Sequence, residues 1–160
     1  MKVFVTGVNG QLGYDVVCEA LVRGCGVAAS DITSEYSGAN QLPANKLSYV
    51  SMDITNEEEV GRVLLQERPD VVIHCAAWTA VDAAEEAENI EKVYKINALG
   101  TKYIAERCKI LNCKMIYIST DYVFDGQGDV PWSEECREYI RLTQYYKNFR
   151  KDFNLDCLKA

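Results

Sequence analysis

The chain has 160 residues, enough for one domain with a real core on a prior of ~100–200 residues per domain. Hydrophobic residues make up 48% and charged residues 26%, the balance of a soluble globular protein. A formal charge of −7 and a pI near 4.8 argue against a nucleic-acid surface or an anionic membrane as partner, though not against a nucleotide-sized ligand held by helix termini.

The first element is the β-branched run KVFVTG, which reads as a strand ending in glycine. QLGYDVVCEALVRG follows with helical spacing. Leu12, Val16, Ala20 and Leu21 fall on one face, and Gly24 stops the helix. GVAASD and LSYVSMD are short strand candidates. Thr55 and Glu58 have the spacing of a capping box, opening a helix that runs to about Arg68 and is closed by Pro69. DVVIHCAA is nearly continuous in apolar residues, as expected for a parallel strand covered on both faces.

A long helix is predicted from about Asn89 to Leu111, with the stripe Ile90, Val93, Asn97, Gly100, Ile104, Cys108 and Leu111 towards the sheet. Asn97 interrupts that stripe, and a buried amide there needs partners. DAAEEAENIEK reads as a solvated acidic helix start that suits the helix dipole. KMIYIST is the next strand. Strands alternating with helices predict an α/β fold, a doubly wound parallel sheet of the Rossmann type. Ligands of such sheets bind beyond the carboxyl ends of the strands, where the strand order switches. The loops that matter therefore follow Thr6, Ser30, Cys75 and Ser119.

The first of these loops is TGVNGQLG, with Gly7, Gly10 and Gly13 between strand and helix. Glycines there permit a tight turn, close approach of a pyrophosphate and close helix–strand packing, while the helix N-terminus offers N–H groups to the phosphates. The pattern predicts a dinucleotide site built from Gly7, Asn9, Gly10, Gln11, Leu12 and Gly13. Asp31 stands eighteen residues past Gly13, at the end of the second strand. A carboxylate there can accept hydrogen bonds from both ribose hydroxyls and repels a 2′-phosphate. No Arg or Lys lies within the ten residues after it, so the expected cofactor is NADH or NADPH with NADH favoured. The alternative is a solvated turn aspartate. Asp53, closing the third strand, can reach the adenine or cap the following helix, and the sequence does not choose between the two; Ile54 beside it is expected among the cofactor-binding residues.

The seven cysteines include no Cys-x-x-Cys pair, and His74 is the single histidine. No metal site is expected, and a reducing, cytoplasmic location is, since no signal peptide or long apolar run is visible. His74 is expected to pack at a strand end rather than act as a base.

The spacing of the glycine turn resembles that of the extended short-chain dehydrogenase/reductases. With IHCAAWTAVDAAE and YISTDYVFDG it resembles the dTDP-4-dehydrorhamnose reductase family over residues 1–135. That resemblance implies NAD(P)H-dependent reduction of the C4 ketone of dTDP-4-dehydro-L-rhamnose in dTDP-rhamnose biosynthesis. By the same resemblance Ala76, Ala77 and Thr79 line the dinucleotide, and Val81, Asp121 and Tyr122 lie on the side of the nucleotide-sugar substrate. Thr120 matches the catalytic threonine that hydrogen-bonds the sugar carbonyl. Read without the motif, Ser119 and Thr120 can equally end the strand with local hydrogen bonds. The family keeps an asparagine at the place of Asn97, with a structural role holding neighbouring backbone.

The family also writes a Pro-x-Asn-x-Tyr-Gly-x-x-Lys motif on the next helix. Its lysine lowers the pKa of a tyrosine that protonates the carbonyl oxygen. Laid over this chain, Arg141 stands for the proline, Thr143 for the asparagine, Tyr145 for the catalytic tyrosine, Tyr146 for the glycine and Phe149 for the lysine. No tyrosine of the chain is followed four residues later by lysine. Residues 136–160 are thus expected to be a divergent, helical C-terminal segment. The chain reads as a truncated or frameshifted product with impaired activity, its fifth strand a bare edge. The alternative is a non-catalytic dinucleotide-binding protein, similar to the regulatory β subunit of methionine adenosyltransferase. Oligomeric state is left open, a homodimer included.

Overall fold

A computed structural model of the chain describes residues 1–38 and 46–119. Residues 1–117 form one compact unit and residues 118–160 a second, of which Ile118 and Ser119 are described. The expected domain boundary at 135 lies outside the described residues.

The first unit is a five-stranded parallel sheet in the order β3-β2-β1-β4-β5. Its strands are β1 (Lys2–Thr6), β2 (Gly26–Asp31), β3 (Leu47–Ser51), β4 (Val71–His74) and β5 (Lys114–Tyr117). Helix α1 (Gln11–Val22) joins β1 to β2, and α2 (Glu57–Glu67) carries the chain from β3 back across β1 to β4. From β4 to β5 run α3 (Val81–Ala84), α4 (Ile90–Tyr94), a π-helical turn over Lys95–Gly100, and α5 (Thr101–Leu111). The strand order reverses between β1 and β4, whose carboxyl ends are Thr6 and His74, paired in register. The predicted α/β, Rossmann-type architecture is what forms.

Alternation along the strands explains why both faces are apolar. Val3, Val5, Val27 and Ala29 point to one core with Val17 and Ala20 of α1. Phe4, Ala28 and Val72 point to the other, with Val60, Val63 and Leu64 of α2 and Ile104 and Cys108 of α5.

Three local expectations are corrected. Helix α1 buries Gly13, Val17 and Ala20, with Val16 and Leu21 packed against the same core as expected, whereas Leu12 is 47% exposed. Gly13 lies so close to the Gly7 carbonyl that no side chain fits between them, so the first turn of the helix packs through Gly13 and not Leu12. A glycine carries no hydrophobicity, so periodicity cannot see it. Helix α2 is capped by Asn56, whose side chain accepts the Glu59 N–H at 3.1 Å, and not by Thr55. The Thr55 N–H and hydroxyl are both engaged by Asp53 Oδ1, at 2.9 and 2.8 Å, in an Asx turn. Asp53 therefore closes the turn before the helix and is not its cap. Finally, the predicted helix from Asn89 to Leu111 is interrupted by the π-helical turn; of its expected stripe Val93, Gly100, Ile104 and Cys108 are buried, and Ala98 and Thr101 join them.

Candidate functional site

The glycine turn sits at the switch in strand order, and each glycine there has a separate physical reason. Gly7 has φ +69°, and a Cβ on it would lie 2.6 Å from the Ala76 nitrogen and 2.7 Å from the Ala76 Cα. It therefore lets β1 pass directly against the backbone that follows β4. Gly13 seats the helix on the turn. A Cβ on Gly10 would approach only the Gly7 oxygen, at 3.3 Å, so its outer face is open to an approaching ligand. The first helical hydrogen bond runs from the Tyr14 N–H to the Gly10 carbonyl at 3.0 Å. The earlier N–H groups of Gln11, Leu12 and Gly13 lack intrahelical acceptors and carry the positive end of the helix dipole. An anionic pyrophosphate fits this cradle.

Asp31 ends β2 beside the turn. Its Oδ2 accepts the Asn9 N–H at 2.9 Å and its Oδ1 the Ile32 N–H at 2.8 Å. Each oxygen keeps a second lone pair for a ribose hydroxyl. Asp53 and Ile54 follow β3 at the same end of the sheet. Ile54 is buried at 8% exposure, and its side chain lies against Gly100.

The loop after β4 holds Ala76, Ala77 and Thr79, the last two exposed, and leads to Val81 at the start of α3, 52% exposed. A buried polar chain positions this loop. The Thr6 hydroxyl oxygen accepts the N–H groups of Cys75 and Ala76, both at 3.2 Å. With its lone pairs occupied, its proton points to His74 Nδ1, 2.7 Å away. On the other side, Thr101 gives its hydroxyl proton to the Asn97 carbonyl at 2.9 Å. Thr101 Oγ1 therefore accepts from His74 Nε2, at 3.0 Å. Both ends demand the same tautomer, a neutral imidazole protonated at Nε2. Burial of the ring pushes its pKa down to about 4, in agreement. His74 is 1% exposed and is a packed strand-end residue, as expected.

Asn97 closes the chain. Its Oδ1 accepts the Trp78 N–H at 2.7 Å and its Nδ2 donates to the Trp78 carbonyl at 3.0 Å. The amide that interrupts the apolar stripe thus holds neighbouring backbone, as anticipated. Sequence reading missed Thr6 and Thr101; the available signal was a hydroxyl at the end of an apolar strand and another one turn beyond Asn97.

The structure brings Gly7, Asn9, Gly10, Gln11, Leu12, Gly13 and Asp31 together around the first turn and sets Ala76 against Gly7. Thr120, Asp121, Tyr122 and Tyr145 lie outside the described residues. Among the described residues no group of three His, Cys, Asp or Glu side chains is placed to hold a metal, and no helix is long and apolar enough to cross a membrane.

Comparison with known proteins agrees with this geometry. The family model described as the RmlD substrate binding domain matches residues 1–139. The chain is 33% identical over 131 residues to the dTDP-4-dehydrorhamnose reductase of Streptomyces griseus, covering 82% of this chain and 37% of that protein. Among solved structures, a dTDP-4-dehydrorhamnose reductase of Clostridium acetobutylicum superposes with TM-score 0.69 at 34% identity, over 94% of this chain and 49% of that one. The corresponding reductase of Bacillus anthracis, in complex with NADP, superposes with TM-score 0.63 at 29% identity, over 96% and 50%. The chain spans about two fifths of the length of the curated relatives it matches. The glycine turn, the strand order and these likenesses together place the chain in the RmlD substrate binding domain family.

Proposed function

We propose that the chain binds a nicotinamide dinucleotide across the carboxyl ends of β2, β1 and β4, as the cofactor-binding part of a sugar-nucleotide reductase. The observation that carries this reading is the glycine turn seated against the Ala76 backbone at the strand-order switch, with an open face at Gly10. The first-turn N–H groups of α1 would hold the pyrophosphate, and Asp31 the adenosine ribose. Ala76, Ala77 and Thr79 would face the nicotinamide half. When bound, the reduced cofactor supplies a hydride.

The finer reading is reduction of the C4 ketone of dTDP-4-dehydro-L-rhamnose, with a nucleotide sugar as partner. Thr120 would orient the ketone and Tyr145 would protonate it. Asp31 favours NADH, although the B. anthracis relative was solved with NADP. Because no tyrosine is followed four residues later by lysine, the 160-residue chain is proposed to have only trace turnover. Titration of the purified chain with NADH and NADPH tests the binding, and substrate-dependent NADH oxidation tests the turnover. A rate in the ordinary enzymatic range, ~1–10³ s⁻¹, would refute the trace-activity proposal. Absence of binding to either dinucleotide would refute the cofactor site.

The missing lysine beside an intact glycine turn also favours a second reading, a dinucleotide-binding regulatory protein. NADH binding without turnover, together with a stable complex with a partner enzyme, would select it.

A further inference from the structure

Asn9 lies on the surface of the glycine turn, yet every polar atom of its amide is engaged by one loop. Its Nδ2 donates to Thr33 Oγ1 at 2.6 Å and to the Glu35 carbonyl at 3.2 Å. Its Oδ1 accepts the Ser37 N–H at 2.9 Å and the Ser37 hydroxyl at 2.8 Å. A primary amide has two N–H donors and one oxygen with two lone pairs, so no capacity is left over. The loop is also held from behind, where the Tyr49 hydroxyl donates to the Thr33 carbonyl at 2.6 Å and Tyr49 stacks on Tyr36 at 5.8 Å.

The same residue reaches Asp31 through its backbone. The Asn9 N–H donates to Oδ2 at 2.9 Å while Ile32, the first residue of the loop, donates to Oδ1 at 2.8 Å. The carboxylate is therefore held between the glycine turn and the loop, and the Asn9 side chain keeps those two at a fixed separation. Across them opens a recess of about 340 Å³, lined by Gly10, Gln11, Tyr14 and Asp15 and by Ser37 and Gly38 of the loop.

We infer that Asn9 is a positioning residue for coenzyme selectivity, pinning the 33–37 loop to the glycine turn so that the Asp31 carboxylate stays where the adenosine 2′-oxygen would lie. This inference rests on the dinucleotide reading of the site. NADH and NADPH differ only at that oxygen. A hydroxyl there donates to a carboxylate, whereas a phosphate is repelled by it, so selectivity depends on the carboxylate being held in place. An aspartate at position 9 would keep the oxygen acceptor but lose the N–H donors to Thr33 and Glu35. An alanine loses all four contacts.

The test uses calorimetric titration of the full chain, with NADH and NADPH as the probes. Asn9→Ala is expected to move the ratio of the two dissociation constants at least fivefold towards NADPH. In an Asp31→Ala background the same substitution is expected to move the ratio less than twofold, because it acts through that carboxylate. If Asn9→Ala does not fold, Asn9→Ser is read in the same way. Equal weakening of both coenzymes with an unchanged ratio would overturn the inference, as would a ratio change that survives in Asp31→Ala. A wild-type chain that binds neither coenzyme overturns the dinucleotide reading itself, and this inference with it.

Discussion

Thr6 and His74, the last residues of two adjacent parallel strands, are joined side chain to side chain by a 2.7 Å hydrogen bond at 1% exposure each. The bond ties the strand that leads into the glycine turn to the strand that leads into the Ala76 loop. The two halves of the site are therefore set relative to each other inside the core, before any ligand arrives.

The tautomer of His74 follows from that bond and is directly measurable, because it is the chain's one histidine. A ¹⁵N spectrum is expected to show a neutral ring protonated at Nε2 throughout the neutral range, titrating at about 4 rather than 6.5. The unfolded chain then binds more protons than the folded one between those values. The His74 contribution to stability is thus complete above about pH 6.5 and is lost as pH falls towards 4. At roughly 1.4 kcal/mol per pKa unit the loss is about 3 kcal/mol. Titration of the ring near 6.5 in the folded protein would contradict the buried chain.

Two glycines with positive φ provide a controlled contrast. Gly7→Ala combines φ +69° with a clash against Ala76 backbone, whereas Gly24→Ala, at φ +77°, meets nothing within 4 Å. Urea unfolding is expected to show a loss of ~1–2 kcal/mol for Gly24→Ala, the cost of left-handed backbone alone. For Gly7→Ala the loss should be clearly larger, as befits backbone strain plus overpacking. Equal losses would mean that the close approach of the two loops is wrong.

Asn97→Ala removes both hydrogen bonds to the Trp78 backbone. A stability loss of about 1–3 kcal/mol is expected, with faster hydrogen exchange at the Trp78 amide than at the Val72 amide in the sheet. Unchanged exchange at Trp78 would show that the loop is held by something other than Asn97.

The start of α2 distinguishes the observed cap from the capping box that the sequence suggests. Asn56→Ala should destabilise by about 1 kcal/mol, the usual worth of an N-cap side chain. Thr55→Val should cost less, since its hydroxyl serves only the Asp53 turn. The reverse order, read from thermal unfolding, would restore the box at Thr55.

The sheet was legible in the sequence because its evidence is local. Parallel strands covered on both faces must be apolar throughout, so KVFVT and VVIH announce themselves, and the glycine turn announces the ligand end. Asn97 was legible as an anomaly, since a polar residue in an apolar stripe has to be satisfied somewhere. Its partner was not, because Trp78 is nineteen residues away and the contact exists only once the helix returns to the sheet.

What the sequence determined alone was the order of elements, the type of sheet and the chemistry of the first turn, all set by short-range periodicity and backbone geometry. The tertiary structure decided the outward place of Leu12 in α1, whose first turn follows the steric contact of Gly13 with Gly7. It also decided the π-helical turn around Asn97, the protonation of His74 and the clasp of Asn9 on residues 33–37. The last two are hydrogen-bond relationships between residues far apart in sequence, and only a packed chain brings their atoms within bonding distance.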